Sequence, residues 1–262
     1  MTQAQQIITL DNITVNRSGT PILEHVSFTA GPGEHWALLG PNGSGKTTIL
    51  NIITGYIWPS KGTVTVLGDR YGRVDLREKR RQIGLVSSSL YERLPMNETF
   101  LDVVLSGRFA SLGTYDESDA GDRGRAGEIA AFLGREHISD RPWRVLSFGE
   151  RQSALIGRAL MAAPSILILD EPFEGLDLPT REHLIDRIDT LMADPGGPTV
   201  LFVTHRIEEL PPGITHAALM RGGMMQYHGP AGEVLTSAAM TDTFGIPIEV
   251  LRRNGRFSAH TA

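Results

Sequence analysis

The segment Gly40-Pro41-Asn42-Gly43-Ser44-Gly45-Lys46-Thr47 constrains this chain more than any other. It fits the pattern G-x-x-x-x-G-K-[ST], in which each residue type has a physical reason. Glycines let successive backbone N–H groups turn inward around phosphate oxygens and form an anion nest. A helix beginning near Lys46 adds the positive end of its dipole. Lys46 supplies a mobile cation to the outer phosphates, and the Thr47 hydroxyl can ligate Mg²⁺. The pattern requires a strand before it and a helix after it. Residues 36–39 are a compact apolar run that reads as a buried strand, and residues 48–53 read as a helix closed by Gly55. Gly40 through Thr48 are therefore the phosphate-binding candidates.

A second run, Ile166-Leu167-Ile168-Leu169, is an apolar strand that ends in Asp170 and Glu171. Such a strand places Asp170 at the edge of a sheet, where phosphate-loop proteins hold Mg²⁺. Glu171 is then placed to orient or deprotonate an attacking water. Around these two landmarks, residues 7–10, 13–15, 26–28, 62–67, 83–86 and 199–203 also read as strands. Residues 216–220 and 224–227 form a hairpin around Gly222-Gly223. Helical patterns cover 100–105, 125–133, 150–161 and 180–192. Residues 113–124, rich in Gly, Asp and Ser, read as a mobile connection. Strands alternating with helices imply an α/β layer architecture.

With 262 residues, 40% of them hydrophobic, the chain can bury one large core, with or without a smaller lobe. A net charge of −5 argues against a general nucleic-acid coat. The basic clusters Arg77, Lys79, Arg80, Arg81 and Arg252, Arg253, Arg256 read as solvated faces. No cysteine is present, which excludes disulfides and thiolate metal sites and fits a reducing interior. Residues 1–10 carry neither the basic start nor the apolar run of a signal peptide. No window approaches the ~20 apolar residues of a membrane span, so if the chain works at a membrane, something else must hold it there.

The segment Leu146-Ser147-Phe148-Gly149-Glu150-Arg151-Gln152 resembles the LSGGQ signature of ABC ATPases, in an LSxGE form. The other motifs of that family follow in its order. Asp170-Glu171-Pro172 resembles the end of its acidic strand, Glu174-Gly175-Leu176-Asp177 its D-loop, and Val203-Thr204-His205 the strand ending in its switch histidine. The resemblance covers residues 7–236. It implies an α/β fold of the P-loop NTPase, ABC type: a RecA-like core, an N-terminal antiparallel β subdomain and a helical subdomain at about 87–157. Residues 237–262 are left as a short accessory segment with an Asn254-Gly255 hairpin turn. ATP and Mg²⁺ are the implied ligands. Lys46, Glu171 and His205 are the implied catalytic groups, with His205 contacting the γ-phosphate and holding Glu171 and the water. Ser147, Gly149 and Asp177 would meet ATP held by a second copy, so the resemblance implies a head-to-tail homodimer. It further implies a motor for separate membrane-spanning permease subunits, an importer in tail order, cytoplasmic and peripheral at the inner face of the membrane. No nucleic-acid partner is expected.

Two positions depart from the family pattern. Where it carries an aromatic residue stacked on adenine, this chain has Arg17, whose planar guanidinium can also stack on a base. Where it carries a glutamine near Mg²⁺ and water, Ser88 stands, with shorter reach. That change favours an alternative, a non-transport ABC ATPase acting in regulation, on ribosomes or in repair. Residues 86–90 and 105–113 resemble a subgroup linked by name to molybdenum uptake, and iron-siderophore importers are the other related subgroup.

Overall fold

The spacing of apolar residues near the N-terminus shapes the first strand. Ile8, Leu10, Ile13 and Val15 are all buried. The step from Leu10 to Ile13 is three residues, which in a regular strand would turn Ile13 to the opposite face. The structure, a computed structural model that describes residues 6–109 and 119–261, absorbs the extra residue in a bulge. Register against the neighbouring strand shifts between Leu10 and Ile13, and Asn12 sits at φ 51°. The two short strands read from the sequence are thus one bulged strand, β1 (Ile8–Arg17). It returns as β2 (Thr20–Ala30) through Ser18 and Gly19, at φ 50° and 81°, the signs of a type I′ turn.

Next come β3 (Trp36–Leu39), α1 (Lys46–Ile53), β4 (Lys61–Val66), β5 (Asp69–Arg70) and α2 (Leu76–Arg81). Then follow β6 (Ile83–Val86), a 3₁₀ turn at Ser88–Arg93, α3 (Phe100–Ser106), α4 (Ala120–Phe132) and α5 (Phe148–Met161). The remainder is β7 (Ile166–Asp170), α6 (Leu178–Ala193), β8 (Thr199–Thr204), β9 (His216–Arg221), β10 (Met224–Pro230), α7 (Ala231–Val234), α8 (Ser237–Phe244), β11 (Ile248–Arg253) and β12 (Arg256–Thr261). These elements fall into two compact units, one built from the chain up to residue 79 and from 199 onward, the other from Arg80–Pro198.

In the first unit, β2-β1-β4-β5 form an antiparallel sheet. A second layer centres on β3, all four of whose residues are buried, with β8 and β9 parallel to it on either side. Strands buried on both faces read as continuous apolar runs, as β3 and β8 do. The tail adds more than the expected hairpin. Thr236 caps α8 by accepting the Ala239 N–H, and Gly245 ends it at φ 73°. Asp242 of that helix accepts from Tyr227 at 3.0 Å and pairs with Arg221, both on the β9–β10 hairpin. The β11–β12 hairpin turns at Asn254 and Gly255, φ 50° and 78°, as expected. Arg256, read from the sequence as solvated, instead donates to the Glu208 carbonyl at 2.9 Å.

In the second unit, β6 and β7 pair in parallel, and α5 packs against β6, α3 and α4. The loop expected at 113–124 needs correction. Its first part lies outside the described residues, but 120–124 are the opening turns of α4. Asp119 accepts the Asp122 N–H at 2.8 Å, and this cap outweighs the poor helix propensity of Gly121 and Gly124.

Candidate nucleotide-binding site

Two sequence landmarks sit in the first unit, at neighbouring strand ends. Leu39 of β3 pairs with Thr204 of β8, so Gly40 and His205 leave the sheet side by side at its carboxyl edge. That edge is where open α/β sheets bind ligands. Gly40 has φ 158°, and a Cβ there would lie 2.3 Å from the Met220 carbonyl oxygen, which no side chain could survive. The backbone therefore follows a path that keeps the loop against β9. The Gly223 N–H, at the β9–β10 turn, donates to the Ser44 carbonyl at 3.1 Å and fastens the loop from the other side.

Lys46 begins α1 and is buried, 7% exposed, with its Nζ donating to the carbonyls of Gly40 at 2.8 Å and Pro41 at 3.2 Å. A buried ammonium on loop carbonyls holds the loop curled around its own charge. Ser44 Oγ, 2% exposed, has no hydrogen-bond partner among the described residues. Buried polar atoms are rarely left so, and an orphan hydroxyl inside a glycine loop beside a fixed ammonium suits an anionic phosphate. The residues present thus fit a nucleotide. Pro41 is half-buried, while Asn42, Gly43 and Thr47 are exposed, and Gly45 and Thr48 line the start of α1. His205 is half-buried. The strand before it is fixed by Thr204, whose hydroxyl donates to buried Glu209 at 2.8 Å and accepts the Arg206 N–H at 3.1 Å. Arg17 is exposed at the tip of the β1–β2 hairpin.

The second unit carries the acidic pair and the signature. Val86 pairs with Leu169, so Ser88 and Asp170 emerge at the same end of the β6–β7 pair, with Ser88 exposed at the start of its 3₁₀ turn. Glu171 follows at φ 48°, a left-handed conformation that costs a side-chain-bearing residue about 1–2 kcal/mol. Its carbonyl accepts the Glu174 N–H at 3.3 Å. Asp177 is exposed at the N-cap of α6 and makes no side-chain cap bond. Among the described residues no three His, Asp or Glu side chains gather as a metal cage. Mg²⁺ needs none, because it is held by one or two protein oxygens together with substrate phosphates.

Ser147 caps α5 in a capping box. Its Oγ accepts the Glu150 N–H at 3.3 Å, and Glu150 accepts the Ser147 N–H at 2.7 Å. The helix starts at Phe148, two residues before the expected start. Two of the four donors that a helix start leaves outside its own bonding are thereby satisfied; the other two are the N–H groups of Phe148 and Gly149. A Cβ at Gly149 would lie 2.6 Å from Thr180 Cγ2, so glycine is needed for the first turn of α6 to pack here. Burial pushes the Glu150 carboxyl up, but hydrogen bonds from Ser147 and the charges of Arg141 and Arg135 outweigh it and hold Glu150 below the usual carboxylate range. Nearby, Tyr91 stacks on Phe148 and donates to Gln152. Burial pushes its phenol far above the usual range, so it remains a donor. Sequence reading missed Tyr91, because its partners lie some sixty positions away in the chain.

A family model described as ABC transporter matches residues 23–174. The chain is similar to an uncharacterised ABC transporter ATP-binding protein, YlmA, of Bacillus subtilis (strain 168). That relative is 40% identical over 251 residues, which is 95% of this chain and 95% of the relative. It is also similar to ABC transporter ATP-binding protein ModF of Escherichia coli (strain K12), 37% identical over 225 residues, 84% of this chain and 46% of that one. A dimeric ATP-binding cassette in a post-hydrolysis state, bound to ADP and Pi, superposes with a TM-score of 0.74 at 27% identity. That match covers 85% of this chain and 98% of the other.

Proposed function

The chain belongs to the ABC transporter ATP-binding protein family and is an ATPase, and from that premise we propose that two copies close head-to-tail on ATP to drive import through separate membrane-spanning subunits. The observation that carries the reading is the phosphate loop: a buried Lys46 held by two loop carbonyls beside the unpartnered Ser44 hydroxyl. In this reading the N–H groups of the loop and of the start of α1, which Pro41 lacks, cradle the phosphates, and Lys46 neutralises the outer ones. Thr47, Asp170 and Ser88 are the proposed contacts for Mg²⁺ and its water. When bound, Mg²⁺ supplies charge neutralisation on the phosphates. Glu171 orients the attacking water and accepts its proton, and His205 steadies the γ-phosphate. Arg17 lies flat on the base.

The signature works on the partner copy's nucleotide. Helix α5 offers the Phe148 and Gly149 N–H groups and the positive end of its dipole to the γ-phosphate, with Ser147 beside them. Asp177 contributes from the start of α6. A dimeric cassette among the structural relatives supports this arrangement. The names of relatives support transport, and one of them, a molybdate/tungstate import ATP-binding protein of Thermococcus kodakarensis, fits the molybdenum subgroup. No helix among the described residues is long and apolar enough to cross a membrane; in the proposed reading, separate permease subunits hold the chain at the inner membrane face. Ser88 in place of the family's glutamine is the one observation favouring a non-transport ATPase.

The experiment is recovery of tagged Glu171→Gln protein with ATP from detergent-solubilised source cells. An integral membrane protein recovered in equal amount is expected. Ribosomes or soluble proteins alone would replace the transporter reading with the second one.

A further inference from the structure

In the unit Arg80–Pro198, one aromatic contact joins the turn after β6 to the start of α5. The Tyr91 ring stacks on Phe148 with centroids 5.0 Å apart and planes inclined by 14°. Its hydroxyl donates to the side-chain oxygen of Gln152, which is 4% exposed. Phe148 and Gln152 are four residues apart, so they lie one above the other on a single face of the helix. Tyr91 therefore spans the first turn of α5, gripping it at both ends. Behind it stands Trp143, fully buried, with its ring centroid 6.0 Å from that of Tyr91. Arg151 lies over the Trp143 ring at 5.3 Å and donates to the carbonyls of Trp143 and Arg144 at 3.1 and 3.2 Å. On its far side Phe148 meets the loop before α6: a Cβ at Gly175 would lie 3.3 Å from its ring. Without these contacts, nothing would hold a 45%-exposed phenylalanine in one place at a helix end, where turns fray most easily.

We propose that Tyr91 is a positioning residue for the signature, fixing the rotation of the first turn of α5 through its stack on Phe148 and its hydrogen bond to Gln152. The turn after β6 and the nucleotide-facing N–H groups of Phe148 and Gly149 then move as one piece. The inference rests on the reading of α5 as the end that meets a partner copy's ATP. It makes the effect of Tyr91 specific to closing of the pair, because the phosphate loop that captures ATP belongs to the other unit of the chain.

The test uses full-length protein in the Glu171→Gln background, with ATP affinity measured on the monomer by calorimetry and ATP-driven dimerisation by sedimentation. Tyr91→Phe keeps the ring in place and loses only the hydrogen bond; Tyr91→Ala loses both contacts. Monomer ATP affinity is expected to stay within about twofold of the parent for both variants. The dimer dissociation constant is expected to rise about fivefold for Tyr91→Phe, and about thirtyfold or more for Tyr91→Ala, since each dimer holds two such helix ends. Hydrogen exchange at the amides of Phe148 and Gly149 should quicken in the same order, and in active protein kcat should fall with KM for ATP unchanged. Dimerisation of both variants at the parent's dissociation constant overturns the inference alone, and so does a matching fall in monomer ATP affinity. A Glu171→Gln parent that stays monomeric at saturating ATP overturns the dimer reading itself, and the inference with it.

Discussion

Lys46 donates to the carbonyls of Gly40 and Pro41 and so shapes the loop around its own charge. Replacing it removes both the loop's internal clamp and the cation for the phosphates. Lys46→Ala is expected to weaken ATP binding by about 100-fold or more, as charge-assisted bonds in a dry site imply, which calorimetry reads directly. Glu171 gives a test of opposite kind. Ordinarily glycine is less stable than alanine within structure by about 0.5–1 kcal/mol. At φ 48° the order should reverse, with Glu171→Gly more stable than Glu171→Ala by about 1 kcal/mol in urea unfolding, while neither turns over ATP. The identities of these residues were legible from spacing alone. The left-handed backbone of Glu171 was not, because nothing in an Asp-Glu-Pro triplet dictates φ for its middle residue.

At the scale of elements, the start of α5 is where local chemistry does most. Ser147→Ala removes the N-cap acceptor and should destabilise the protein by ~1 kcal/mol. The capping box also titrates. Glu150 is held below the usual carboxylate range in the folded chain, so it binds fewer protons folded than unfolded across that interval. Its stabilisation is fully present above the ordinary carboxylate value and is lost as pH falls through the depressed folded value. The stability difference between the parent and Glu150→Gln should therefore be constant near neutral pH and shrink in the acid range, as urea unfolding at a series of pH values would show. The capping box could be read from Ser147 and Glu150. Helix α8 could have been, since Thr236 and Gly245 flank it, yet its short length and weak apolar stripe hid it. The early start of α4 was hidden for a different reason: three glycines signal a loop, and only the Asp119 cap shows that the helix begins among them.

For the molecule as a whole, ligand binding and stability are linked. In Glu171→Gln protein with free Mg²⁺–ATP at 100 times its dissociation constant, the unfolding free energy should rise by about 2.7 kcal/mol. Chelating Mg²⁺ with EDTA, or adding Lys46→Ala, should remove most of that gain in thermal melts. The sequence by itself determined the kinds of chemistry present and their order: a phosphate loop, a signature, an acidic strand end and a histidine. Each is a short motif whose physical requirement is met by neighbouring residues, so nothing distant is needed to recognise it. Strand ends such as residues 36–39 and 83–86 were legible for the same reason, being continuous apolar runs. Only the tertiary structure decided which of these meet. It paired β3 with β8 so that Gly40 and His205 emerge side by side, and β6 with β7 so that Ser88 and Asp170 emerge together. It also joined Tyr91 to Phe148 and Gln152. Parallel pairing and side-chain stacking connect residues far apart in the chain, and their energies depend on packing that no local pattern records.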